Sequence, residues 1–342
     1  MYAKSMISST SGTQPQDTKR NLMKKLIPTL VCSAVAALFP ALASASCGAA
    51  FCTVNTNWTS ETALADAGNA FDLRYEFINL NQPMSGTDTI AIGQIPHHHD
   101  EVRTLNRNVV ATWSHSFVGG WGVSVSLPVS ERDHIHVHNH HGAKLSENWN
   151  FTELGDTRVT GRYQKALLAD PLKPALAGVT FGLKLPTGRT GVANDANSVA
   201  ERSMQPGTGT TDAILGAFYH QKLTASDIAW FAQAQYQHAL NTRSNYKPGS
   251  TFSADIGLRR GLTERLGGLL QLNAVRKGTD SGSEAEPEDS GQRTVALSPG
   301  LSYAIGAQTQ VYAYYQHALY RKVNGVQLTA DRAFVVGVSG QL

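Results

Sequence analysis

The sequence predicts an all-β protein, a transmembrane antiparallel β-barrel of twelve strands. Three observations carry that prediction. Twelve segments of roughly ten residues, between Ala70 and Leu342, alternate apolar and polar side chains, the period of a strand with one greasy and one wet face. The gaps between them alternate short and long, as tight periplasmic turns and long external loops do. Beyond the N-terminal leader no stretch approaches eighteen consecutive apolar residues, so strands rather than helices would cross a bilayer.

The leader is a polar stretch, then Met23-Lys24-Lys25, an apolar run from Leu26 to Leu42, and Ala43-Ser44-Ala45. A basic start, an apolar middle and a small-x-small end make a secretory signal cut before Ser46, so residues 1–45 leave the mature chain. Met23 is an alternative start, because residues 1–22 add nothing that export needs. Pro28 and Pro40 argue against a retained membrane helix. Cleavage removes five of the 29 Lys and Arg and one of the 26 Asp and Glu, leaving a net charge of −1 and no electrostatic footprint for nucleic acid. Cys47 and Cys52 remain, and an oxidising periplasm predicts a disulfide between them, a staple on the arm. Redox chemistry would want a two-residue spacing, and lipidation of Cys47 is opposed by Ser44, where a lipoprotein signal carries Leu. Residues 46–69 read as a periplasmic arm with one helical turn around Ser60–Ala67.

Residues 70–342 form the barrel. The first strand, Ala70–Leu80, sets Phe71, Leu73, Tyr75 and Phe77 against Asp72, Arg74 and Glu76. Arg103–Phe117 and Trp121–Val129 follow, joined by Gly119-Gly120. Thr157–Leu167 and Leu176–Leu185 flank a turn bounded by Pro171 and Pro174. Asp212–Leu223 and Ile228–Leu240 make the next hairpin, then Thr251–Leu262 and Leu266–Arg276, then Thr294–Ile305 and Thr309–Leu319. Asp331–Leu342 closes the series. The long gaps fall outside the cell: Asn81–Val102, Ser130–Asp156, Pro186–Thr211, Asn241–Ser250, Lys277–Arg293 and Tyr320–Ala330. An even strand count returns both ends to one side, and closure leaves no unpaired edge in lipid. The expected location is the outer membrane of a Gram-negative bacterium, with outer-membrane lipid and the barrel-insertion machinery as partners. Leu342 stands where a terminal Phe is common.

Gly182-Leu183-Lys184-Leu185-Pro186-Thr187-Gly188, then Gln205-Pro206-Gly207-Thr208-Gly209-Thr210-Thr211-Asp212, flank one external loop, and Leu154-Gly155-Asp156 opens the fourth strand. These stretches resemble an outer-membrane barrel family filed under the meta-pathway of phenol degradation, whose members are often labelled transporters. The resemblance implies a barrel and solute passage and carries no catalytic residue over. Turn chemistry explains the same glycines and prolines.

Eight of the twelve histidines fall in the first two external loops. His97, His98 and His99 precede Asp100 and Glu101; His134, His136, His138 and His140 alternate, with His141 following. In an extended segment the alternating four project to one side, spaced to chelate, and Asp100, Glu101 and Asp133 could complete a shell. Zinc, nickel or copper ions suit such ligands, although no cofactor is required. Ile135 and Val137 on the opposite side hint that this segment prolongs the strand hairpin. The alternative is a merely solvated hydrophilic loop. Tyr236 with His238 and Tyr315 with His317 read as an aromatic and polar girdle.

Alternation places Arg74, Glu76, Arg158, Arg162, Lys184, Asp255 and Arg259 in the lumen, either lining a wet channel or bracing a narrow barrel by ion pairs. The functional expectation is a channel or facilitator for a small solute or a metal ion. The alternatives are a surface metal-binding barrel without transport and a lipid-hydrolysing barrel enzyme. The last lacks a convergent triad, since Ser298 falls on the face opposite His317.

Overall fold

The computed structural model describes residues 53–56, 67–93, 99–140, 143–168 and 170–342. For residues 99, 100, 138–140, 143 and 144 the backbone alone is described. The leader 1–45, Cys47 and Cys52, His97, His98 and His141, and most of the helical turn expected at Ser60–Ala67 lie outside the described residues.

Sixteen strands are present among them: β1 (Gly68–Leu80), β2 (Gln82–Ser85), β3 (Asp88–Thr89), β4 (His99–Ser116), β5 (Trp121–His140), β6 (Ala143–Leu154), β7 (Thr157–Leu168), β8 (Ala175–Leu185), β9 (Asp212–Leu223), β10 (Ile228–Ala239), β11 (Thr251–Gly261), β12 (Leu266–Lys277), β13 (Gln292–Ala304), β14 (Thr309–Val323), β15 (Val326–Thr329) and β16 (Arg332–Gln341). Twelve of them close an antiparallel ring in the order β1-β4-β5-β7-β8-β9-β10-β11-β12-β13-β14-β16. The first and last strands seal it, from Ala70 opposite Gln341 to Ile78 opposite Ala333. The twelve expected strands are all here, with ends mostly within a few residues of the sequence reading.

Two long extensions depart from that reading. Strand β4 begins at His99 and β5 runs on to His140, 20 residues, about twice what a tilted membrane strand needs. The membrane half of β5 pairs with β7, from Trp121 opposite Tyr163 to Ser126 opposite Arg158. Its outer half pairs with β6, from Val129 opposite Leu154 to His140 opposite Ala143. The segment Ser130–Asp156, expected as a loop, is therefore mostly sheet, as the alternation of Ile135 and Val137 with the histidines hinted. Beyond the membrane water lies outside, so the polarity of alternation inverts. In β6 Trp149 and Phe151 point in and Asn148, Asn150 and Thr152 point out. A reading tuned to apolar-out strands passes over that pattern.

Within the membrane band the faces sort as the sequence predicts. Leu73 and Trp113 are 46% and 45% exposed, whereas Glu76, Asn106 and Asn108 are fully buried. A soluble sheet would bury the first set and expose the second. At the short-turn end Gly119 and Gly120 both hold positive φ, 91° and 86°, which a side chain would oppose.

Of the arm expected over residues 46–69, the described residues Thr53–Thr56 lie inside the ring. Val54 packs among Phe231, Leu269, Tyr312, Tyr314 and Val335. At the long-loop end, Trp149 packs with Ile78, Leu80, Ala200, Met204 and Leu328, so the loop between β8 and β9 folds inward onto β6 and β15.

Candidate functional site

Three clusters occupy the barrel: a plugged lumen, a clasp on the loop between β8 and β9, and a histidine–carboxylate group under the loop end.

In the lumen, Gln271 of β12 grips both backbone groups of Asn55. Its Oε1 accepts from Asn55 N at 3.1 Å and its Nε2 donates to Asn55 O at 2.8 Å. The Asn55 side chain donates to Gln233 at 2.8 Å, and Gln316 donates to Thr53 Oγ1 at 2.6 Å. Thr56 donates to Asp72, which also accepts from Tyr312 at 2.6 Å. Arg74 lies between Asp72 at 3.6 Å and Glu76 at 2.8 Å, and Asn108 donates to the second oxygen of Glu76. Asp255 accepts from Gln233 and Asn273, each at 2.7 Å. These pairings match donors to acceptors, the condition for keeping such groups out of water. The expected lumen residues Arg74, Glu76, Arg158, Arg162, Lys184, Asp255 and Arg259 all sit on the inward face of their strands. Arg158 donates to Gln237 at 2.6 Å, and Arg162 donates to Ser116.

The clasp explains the sequence motifs. Lys184 lies 3.0 Å from Asp156 and 3.1 Å from Asp212, all three buried. Asp156 accepts from the backbone of Gly188 at 3.1 Å and of Thr208 at 2.9 Å. Thr210 donates to Asp212 at 2.7 Å. Thus Leu154-Gly155-Asp156, Leu185-Pro186-Thr187-Gly188 and the Pro206–Asp212 stretch, distant in sequence, meet at one point. Gly188 and Gly207 face each other there, and a Cβ on Gly207 would stand 2.5 Å from Gly188 O. Sequence reading named Lys184 but missed its two carboxylates. Farther out, Arg202 stacks 5.0 Å over the Tyr246 ring. Tyr246 donates to Asp280 at 2.9 Å, and burial together with that carboxylate pushes its phenol pKa up.

The third cluster stands on β4, β5 and β6. Glu101, His136 and Glu147 lie side by side across the three strands, and Thr104, His134 and Trp149 form the next row. A β-bulge between Glu101 and Arg103 makes this possible. With unbroken alternation Glu101 would point away from Thr104, but the extra residue turns both inward. Glu101, His134 and His136 are buried, and one ligand atom from each lies within 4.8 Å of the others. His134 Nε2 is 3.3 Å from His136 Nδ1 and 3.6 Å from Glu101 Oε2. The other nitrogens have partners: His134 Nδ1 with Thr104 Oγ1 at 2.9 Å, and His136 Nε2 with Glu147 Oε2 at 3.4 Å. Trp149 covers both rings, its centroid 5.6 and 4.7 Å from theirs.

Of the expected ligands, then, His134 and His136 come together, inside the sheet extension rather than in a solvated loop. His99, Asp100, His138 and His140 lie on β4 and β5, with their side chains outside the described residues. Asp133 does not join, because it points outward and pairs with Arg103 at 3.1 Å. Thr104, Glu147 and Trp149 were missed; the inverted alternation of β6 was their signal.

Tyr236 stacks on His238 and Tyr315 on His317, both pairs at 6.3 Å, a girdle on the outer face. Ser298 is buried in the lumen on Asn273, across the wall from His317.

Residues 115–330, more than half of the sequence, match a family described as "Putative MetA-pathway of phenol degradation". The chain belongs to that family. The family match takes in the clasp and most of the ring. An outer membrane channel from Pseudomonas putida F1 superposes with a TM-score of 0.60 at 11% identity, over 81% of this chain and 96% of that one. The NanC porin gives 0.41 at 11% identity, over 80% and 100%, and the CymD monoaromatic hydrocarbon channel 0.38 at 8%, over 86% and 94%. A search of curated proteins finds no match. The fold of this family member is that of a barrel of the Gram-negative outer membrane: closed, apolar outside and polar within.

Proposed function

We propose that this member of the phenol-degradation family is an outer-membrane channel for a small solute. One observation supports the reading above the others: a sealed ring whose interior holds a segment of its own chain, Thr53–Thr56, by side-chain hydrogen bonds rather than by sheet pairing. A solid barrel core would have no room for that segment. A bore that takes one polypeptide segment takes a solute of similar cross-section when the segment withdraws. The named acids Asp72, Glu76, Asp156, Asp212 and Asp255 offset the bases Arg74, Arg158, Arg162, Lys184 and Arg259, which argues against strong selection by ionic sign.

Planar-bilayer recording tests this. The purified barrel is expected to conduct weakly, and a variant lacking residues 46–56 to conduct several-fold more. A silent bilayer with both proteins, each shown folded by heat-modifiable gel mobility, would end the channel reading.

A further inference from the structure

We infer that Glu101, His134 and His136 bind one zinc-class divalent cation inside the outer mouth of the barrel. The geometry matches the ion. Two nitrogens each about 2.05 Å from a tetrahedral zinc stand about 3.3 Å apart. His134 Nε2 and His136 Nδ1 are separated by 3.3 Å. A zinc-bound carboxylate oxygen stands about 3.4 Å from such a nitrogen, and Glu101 Oε2 is 3.6 Å from His134 Nε2.

The tautomers follow from the outer partners. When His134 Nδ1–H donates to Thr104 Oγ1, its Nε2 lone pair faces the group. When His136 Nε2–H donates to Glu147, its Nδ1 lone pair does the same. A histidine ligand whose far nitrogen donates to a carboxylate or hydroxyl is the orienting arrangement found around bound metals. The bulge that turns Glu101 inward supplies the oxygen ligand and the negative charge, buried where a cation beside it offsets the desolvation. Trp149 holds both rings in place from one side. Two nitrogens and one carboxylate favour zinc, cobalt or nickel over magnesium and calcium, and they leave a fourth position for water or an incoming ligand. The site is distinct from the lumen ring and does not depend on conduction, so its test and the bilayer recording fail separately.

The other histidines of the first two external segments must be removed to see it. A variant with His97, His98, His99, His138, His140 and His141 changed to Ala is stripped with chelator in detergent, then titrated with zinc chloride by calorimetry. We expect one zinc per barrel, no uptake of magnesium, and the visible absorption of tetrahedral cobalt when cobalt replaces zinc. In that background Glu101→Gln and His136→Ala are each expected to lower zinc affinity at least a hundredfold. Glu147→Gln should lower it about tenfold. Heat-modifiable mobility checks folding, and His136→Gln replaces His136→Ala if the latter does not fold. The inference is overturned if the barrel without those six histidines takes up no zinc, or if Glu101→Gln and the His136 variant retain parental affinity.

Discussion

Lys184 illustrates how one side chain organises a loop. Its ammonium lies between Asp156 and Asp212, and the three are nearly excluded from water. Each carboxylate in turn receives hydrogen bonds from residues of the loop between β8 and β9 or its exit, so the cation fixes two anchor points at once. Lys184→Met keeps the length of the side chain and leaves two carboxylates buried without it. Truncating one partner of such a group costs about 3–5 kcal/mol. Denaturant unfolding in micelles should show that loss, and adding Asp156→Asn and Asp212→Asn should recover part of it. Unchanged stability in the single variant would mean that the carboxylates find water. At this scale the sequence was half legible: it put Lys184 in the lumen, but nothing in a linear chain brings Asp156 and Asp212 to the same nitrogen.

At the scale of elements, the loop between β8 and β9 is a folded lid segment rather than a solvated tether. Gly188 and Gly207 make its two limbs touch, Trp149 donates to Ser198 O at 2.8 Å, and Arg202 donates to the carbonyls of Thr190 and Thr208. Gly207→Val would place a side chain against Gly188 O and Asp156, so the limbs must part. Trypsin is expected to cut that variant at Arg189 or Arg202 while sparing the parent under the same conditions. Equal resistance would show that the loop is held elsewhere. The motifs at its ends were visible as turn chemistry, whereas their role as a clasp was not, because close backbone approach leaves only glycine as its trace. The extension of β5 and β6 was partly legible in the Ile135 and Val137 alternation. It was obscured because apolar side chains change sides once the surroundings change from lipid to water.

For the whole molecule, closure and plugging rest on different contacts: backbone pairing for the ring, side-chain hydrogen bonds and the seat of Val54 for the segment. The seam between β1 and β16 begins at Ala70, beyond the segment Thr53–Thr56, so no strand pairing of the seam uses that segment. Gln271→Ala removes the two hydrogen bonds to the Asn55 backbone and leaves every strand pairing in place. Single-channel recording is expected to show higher or more frequently open conductance in this variant, with gel mobility unchanged. A trace identical to the parent would indicate that the apolar seat of Val54 and the hydrogen bonds to Gln233, Gln316 and Asp72 retain the segment without Gln271.

The number, order and facing of the twelve ring strands were determined by the sequence itself. Lipid outside and water inside impose a two-residue period that a chain cannot satisfy by accident twelve times, and sealing the ring admits one order of neighbours. What enters the ring was decided only by tertiary structure. Thr53–Thr56 carry no periodic signal, and their place depends on Gln233, Gln271 and Gln316, which the closed wall alone assembles. The gathering of Glu101 with His134 and His136 likewise rests on a bulge one residue long, which shifts the strand's parity and leaves no mark in composition or spacing.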